Sequence, residues 1–162
     1  LMAAPLWENR ILGHQETAPM AKGLWVNKAE AKKDSERIVK EFDVRTPNIS
    51  VSANALSGGN QQKFIVGREM SSNPKFIIAA QPTRGVDVGA KSEIYRLMDQ
   101  LSEQGVSMIV TSGELPELLA VCDRILVLSE GHLTGRFSAT EATEQLIMEA
   151  ATAGRDGLQL SP

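Results

Sequence analysis

The chain has 162 residues, 42% of them hydrophobic and 23% charged, which is enough for one domain with a real core. Its net charge of −3 and the lack of a basic run exclude a global demand for nucleic acid, and its single cysteine, Cys122, excludes an internal disulfide or a cysteine metal cluster. No apolar stretch reaches the ~20 residues that span a bilayer, His14 and His132 have no metal-ligand spacing, and Leu-Met-Ala-Ala-Pro lacks a signal peptide's layout, so a soluble intracellular chain is expected, touching a membrane only through a partner.

In chain order, residues 6–12 read as a short helix, with Pro5 at its first turn and Gly13 at its end. A loop with Pro19 and Gly23 follows and contains Trp25. Asn27, with Glu30 three residues on, starts a second helix, whose apolar face is Ala31, Ile38, Val39 and Phe42. Its charged first half is a solvated face. Trp7 and Trp25 are expected to pack in this helical part. Residues 43–55, with Pro47 and several Ser and Asn, form a loop into Leu56-Ser57-Gly58-Gly59-Asn60-Gln61-Gln62-Lys63, and the run from Phe64 to Met70 continues as a helix that Ser71-Ser72-Asn73-Pro74 stops.

The second half changes rhythm. Phe76 to Ala80 is a continuous apolar run, expected as a strand buried on both faces. Ala90, Ile94, Leu97, Met98 and Leu101 recur at helical spacing before Gly105, and Val106 to Val110 is a second such strand. Leu115, Leu118, Leu119 and Cys122 mark another helix, on which Cys122 is core rather than nucleophile and Glu114 and Glu117 are surface carboxylates. Arg124 to Leu128 is a third strand, Glu130-Gly131 turns into a hairpin over 132–137, and Ser138 with Glu141 is expected to cap a last helix carrying Leu146, Ile147 and Ala150. Nothing from Gly154 to Pro162 looks able to fold. Strand, helix, strand, helix, strand at these spacings predicts a parallel α/β core behind a mainly helical portion.

The stretch Leu56 to Lys63 carries the chemistry. Two adjacent glycines let the backbone approach a ligand closely, Ser57 can cap the following helix, and the helix start adds aligned amides and a positive dipole end. That is a small anion receptor. The same residues also suit a flexible loop before a helix. Lys63 and Arg68 could extend its positive field, but surface charges are the simpler account.

These residues resemble the signature motif of ABC transporter ATPases, and Asn60-Gln61-Gln62-Lys63 is like that of subunits driving uptake of simple sugars and nucleosides. Pro82-Thr83-Arg84-Gly85-Val86-Asp87 lies where that family has its Walker B end and D-loop. Glu114-Leu115-Pro116-Glu117, Asp123-Arg124-Ile125 and Glu130-Gly131 match the order of its switch-region helix, late strand and hairpin. The resemblance runs from about Leu6 to residue 150. It implies an α/β fold, an incomplete P-loop NTPase domain of the ABC ATPase type, with a helical subdomain over 1–74, an α/β core over 75–153 and a disordered tail over 154–162. It further implies ATP and Mg²⁺ held mainly by a second nucleotide-binding domain, to whose ATP Ser57, Gly58, Gly59 and Gln61 would be presented in trans. Gly85 and Asp87 would line the D-loop. Transmembrane permease subunits, and indirectly a solute-binding protein, would be the other partners, at the cytoplasmic face of the membrane.

Three departures matter. Nothing matches the phosphate loop, Gly-x-x-x-x-Gly-Lys-Ser/Thr, nor the Gln and the adenine-stacking aromatic expected ahead of Leu1. The chain therefore reads as the C-terminal part of a second, degenerate nucleotide-binding domain. Where an acidic pair should support Mg²⁺ and polarise water stand Ala80 and Gln81. The switch histidine falls on Gly113, beside Ser112. No catalytic residue is intact, so the chain alone is expected to lack ATPase activity. A docking domain that binds no nucleotide and a decayed fragment are the alternatives.

Overall fold

A computed structural model describes residues 1–16, 18–22 and 25–153; the expectation for 154–162 lies outside them. The described residues cluster into two compact units. The first comprises Leu1–Ile77 and Thr83–Ser107, the second Ile78–Pro82 and the chain from Met108 onward.

In the first unit, α1 (Leu6–Ile11) follows Pro5, and Gly13 takes the left-handed backbone (φ +80°) beyond its end. Where a loop was expected, β1 (Ala21–Lys22) and β2 (Trp25–Val26) pair antiparallel, Ala21 opposite Val26. Two-residue strands are too short to show a period in sequence. Trp25 is 80% exposed instead of packed, while Trp7 lies under the Lys32 ammonium at 5.4 Å. Asn27 caps α2 (Lys28–Glu41) by accepting the Glu30 N–H. Ile38 of that helix joins Leu6, Val44, Leu56 and Phe64 in a buried cluster, with Phe42 and Val51 against it. Leu56 opens the signature stretch and Phe64 follows its last residue, so the core itself anchors that stretch at both ends. α3 spans Gly58–Met70, and α4 spans Val88–Glu103 with Ile94, Met98 and Leu101 buried.

β3 (Phe76–Ala80) pairs with β4 (Ser107–Thr111). The Ser107 N–H donates to the Lys75 carbonyl at one end and the Gln81 N–H to the Thr111 carbonyl at the other, so the two strands run parallel, as the β3–α4–β4 spacing requires. The strands are not buried on both faces. Exposure alternates along each, with Ile78 67% and Ile109 52% exposed.

In the second unit, α5 (Leu115–Val121) precedes β5 (Arg124–Ser129), which pairs antiparallel with β6 (His132–Ser138), Ile125 opposite Phe137. Among the described residues β5 pairs with β6 alone and does not extend the parallel pair. Ile125 and Val127 pack on Ile147 and Ala150 of α6 (Glu144–Thr152), beside Leu118, Leu119 and Cys122. The other face of β5 is open, leaving Leu126 64% and Leu128 71% exposed. Thr143, not Ser138, caps α6 by accepting the Leu146 N–H. Ser138 and Glu141 do bond each other, but they close a turn ahead of the helix.

Candidate functional site

α3 starts immediately after Ser57, whose backbone is extended (φ −62°, ψ 156°) as a cap residue requires. Its hydroxyl, however, does not cap. It accepts instead from the Asn60 side-chain amide at 2.8 Å, and the Asn60 Oδ1 accepts the Arg45 backbone N–H at 2.7 Å. The Gln61 amide turns back to the Leu56 carbonyl, 2.9 Å away, so it braces the loop. The Gln61 N–H closes the first helical bond to the Ser57 carbonyl. No acceptor among the described residues meets the N–H groups of Gly58, Gly59 or Asn60. Those three donors are what a helix start leaves over for an anion.

The signature and D-loop segments are packed backbone to backbone. A Cβ on Gly58 would lie 2.7 Å from the Gly85 carbonyl oxygen, and one on Gly59 would lie 2.6 Å from the Ala90 Cβ. Gly85 itself needs its freedom for a different reason, a φ of +74°. Val86 is buried behind the turn, and Asp87 caps α4, its Oδ1 accepting the Ala90 N–H at 2.9 Å. The two helix starts open on a shared pocket of about 310 Å³ lined by Ser57, Gly59, Asn60, Asp87, Arg45 and Glu93.

Lys63 is not a surface charge: the residue is 6% exposed. It shares a helix face with Gly59 and Gly67, both buried, at spacings of four. Its ammonium meets a Glu93 carboxylate oxygen at 2.6 Å and donates to the Asp43 carbonyl at 3.2 Å. The hydrogen bond and charge from Lys63 hold the Glu93 carboxyl below the usual carboxylate range. Arg45 reaches the same carboxylate at 3.8 Å. Sequence reasoning missed Arg45 and Glu93 as parts of this site, and placed Asn60 in the signature stretch without its link from Ser57 to Arg45. The face shared by Gly59, Lys63 and Gly67 was a legible sign that Lys63 points inward. Arg68 is half-buried and pairs with its neighbour Glu69.

The degenerate positions lie in the second unit. Ala80 ends β3 exposed, and Gln81 follows in left-handed backbone (φ +50°), also exposed. Neither brings a carboxylate. Gly113 is exposed with nothing within 4 Å of its Cβ position. Beside it, the Ser112 hydroxyl donates to the Glu117 carboxylate and accepts the Glu114 N–H. Glu117 is buried, at 3% exposure, not a surface carboxylate. No group of three or more His, Cys, Asp or Glu side chains that could hold a metal ion exists among the described residues. The free amides of Gly58 to Asn60 and the Ser57 hydroxyl do fit a phosphate group. No helix among the described residues is long and apolar enough to cross a membrane.

The fold is that of an ATP-binding cassette. It superposes on a nucleotide-free cassette from an ABC transporter with a TM-score of 0.72 at 21% identity, covering 94% of this chain and 61% of that one. On the dimeric post-hydrolysis cassette MJ0796 bound to ADP and Pi, the TM-score is 0.66 at 22% identity, over 86% and 58% of the two chains. By sequence, the chain is 46% identical over 132 residues to the xylose import ATP-binding protein XylG of Moorella thermoacetica, covering 82% of this chain and 26% of that protein. It is 47% identical over 134 residues to the ribose import ATP-binding protein RbsA of Bacillus subtilis, covering 83% and 27%. No protein-family model matches. The chain belongs to the ATP-binding proteins of ABC transporters, and spans about a quarter of the length of the curated relatives it matches.

Proposed function

We propose that the chain supplies the signature half of an ATP sandwich that powers import of a simple sugar, of the class named for its xylose- and ribose-importing relatives; a nucleoside is the other solute its sequence suggests. One observation carries this reading. The signature glycines are held against the D-loop, while the N–H groups of Gly58, Gly59 and Asn60 keep no acceptor among the described residues. Ser57, Gly58 and Gly59 then meet the terminal phosphate of an ATP whose phosphate loop and Mg²⁺ belong to a second nucleotide-binding domain. Gln61 braces the loop, and Gly85 and Asp87 shape its neighbour. ATP supplies the driving force once both halves close on it. Ala80 cannot hold the metal's water shell, Gln81 cannot take a proton and Gly113 brings no imidazole, so this chain's own half-site is silent.

The remaining assignments follow from the same reading. Residues 1–74 form the helical subdomain and 75–153 the α/β core. The assembly sits on the cytoplasmic face of the membrane, against permease subunits fed by a solute-binding protein. The test pairs the full chain with a domain that carries an intact phosphate loop and acidic pair. Ser57→Arg puts a bulky side chain at the phosphate contact and is expected to cut the partner's ATP turnover about a hundredfold. Unchanged turnover would overturn the role in trans.

A further inference from the structure

Behind the pocket that the two helix starts share, one ion pair stands at matching depth in both helices. Lys63 lies six residues beyond Ser57, and Glu93 lies six residues beyond Asp87. The pair joins α3 to α4 at 2.6 Å. It also belongs to a ring of contacts around the pocket. Glu93 meets Arg45, the Arg45 backbone N–H is held by Asn60, Asn60 donates to Ser57, and Ser57 begins the helix that carries Lys63. Glu93 lines the pocket, whereas Lys63 is buried behind it.

This placement has an electrostatic consequence. The pocket wall carries two carboxylates, Asp87 and Glu93, against one exposed guanidinium, Arg45. An anion arriving at the Gly58 to Asn60 amides would be repelled by both carboxylates unless their charge is met. Asp87 is engaged at the start of α4. Glu93 is met from behind by a cation that never enters the pocket. Lys63 is thus a hidden counter-charge, 7% exposed at its side chain, facing a carboxylate that is 35% exposed. A second carboxylate near the ammonium, that of Asp43 at 3.6 Å, is 78% exposed.

We propose that Lys63 is a positioning residue for the signature: by pairing with Glu93 it cancels the negative wall of the pocket and so sets the affinity of the Gly58 to Asn60 amides for an anion. This rests on the anion-receiving reading of the signature and adds to it the residue that controls its strength. Lys63 touches no ligand and acts through Glu93.

The test is an amide-resolved NMR titration of the full chain with sodium sulfate, a doubly charged stand-in for a phosphate group, against sodium chloride at equal ionic strength. In the natural chain the Gly58, Gly59 and Asn60 signals are expected to shift with sulfate. Lys63→Met is expected to weaken that response about fivefold, because Glu93 is left uncompensated. Lys63→Met with Glu93→Gln is expected to recover it to within about twofold, since the repelling charge is gone. Glu93→Gln alone, which leaves the buried ammonium the Asp43 carbonyl and carboxylate as partners and whose fold the amide spectrum itself checks, is expected to strengthen it about twofold by removing one charge from the pocket wall. If Glu93→Gln leaves the response unchanged or weaker, or if the double variant stays as weak as Lys63→Met, Lys63 acts only by packing and the proposal is overturned. Amides of the natural chain that ignore sulfate altogether would instead overturn the anion-receiving reading on which it stands.

Discussion

The carbonyl oxygen of Gly85 occupies the space that a side chain on Gly58 would need, 2.7 Å from the position of a Cβ. The close approach is backbone against backbone, so no flexible side chain can yield. Gly58→Ala must therefore part the signature from the D-loop. It is expected to cost about 1–3 kcal/mol in denaturant unfolding, whereas Gly113→Ala, with open space around it, should change stability by less than about 0.5 kcal/mol. Equal effects at the two glycines would remove the packing argument.

Arg10 is almost wholly buried, at 3% exposure, and its Nη1 has no hydrogen-bond partner among the described residues. Its Nε donates to Asp34, which also accepts from Arg37 at 2.7 Å. Asp34→Asn would strand that guanidinium, at an expected cost of about 3 kcal/mol. Thermal and denaturant unfolding of the variant check this.

The same carboxylate sets a pH dependence. Burial pushes the Asp34 carboxyl up, but the hydrogen bonds and charges of Arg10 and Arg37 outweigh it and hold the group below its ordinary value of 3.8. A lowered folded value means stability that is present above the unfolded value and lost as pH falls through the folded one. Urea midpoints of the natural chain should therefore drop more steeply below pH ~4 than those of Asp34→Asn. Parallel curves would show that Asp34 contributes no such term.

The bare strand faces make a fourth prediction. Ile78, Leu126 and Leu128 stand exposed on strands whose opposite sides are packed or half-buried. The chain is expected to bind the dye ANS while fully folded, and Leu126→Thr with Leu128→Lys should lower that emission about twofold without lowering the melting temperature. Unaltered dye binding would place the apolar surface elsewhere.

Cys122 offers a simple chemical check. Burial first, then the charges of Asp123 and Glu117, push its thiol above the ordinary value of 9.0. Alkylation by iodoacetamide at pH 8 should run about fivefold slower than for a free thiol, and unfolding in urea should abolish the difference.

Much of this was legible in the sequence because it depends on local chemistry. Asn27 and Glu30 mark the start of α2, the serine before two glycines marks that of α3, and a run of apolar residues gives β3. What was not legible depends on neighbours that are remote in the chain. Whether Ile78 or Leu126 is covered is decided by what packs on its strand, and an apolar run alone cannot tell. Ser138-x-x-Glu141 and Thr143 are both adequate caps, and the Ala139 N–H bond to the Asp123 carbonyl ties the first of them to β5 as a turn. Lys63 was misread because lysine is ordinarily a surface residue. Its partner Glu93 lies thirty positions away, beyond the reach of any local pattern.

The Ser57 hydroxyl has one hydrogen to give and two lone pairs to receive with. The Arg45 backbone N–H can only donate, so it fixes Asn60 with its oxygen toward Arg45 and its NH₂ toward Ser57. A lone pair of the hydroxyl is thereby taken, and its single hydrogen is left to turn outward. The loop thus carries a polarity as well as a shape: a serine whose one hydrogen is committed to giving outward, with a single lone pair left to receive, which suits a phosphate oxygen. Asn60→Asp, nearly identical in outline, would reverse that commitment by drawing the hydrogen inward. The partners of Asn60 and Ser57 thus bias which way this surface offers a hydrogen.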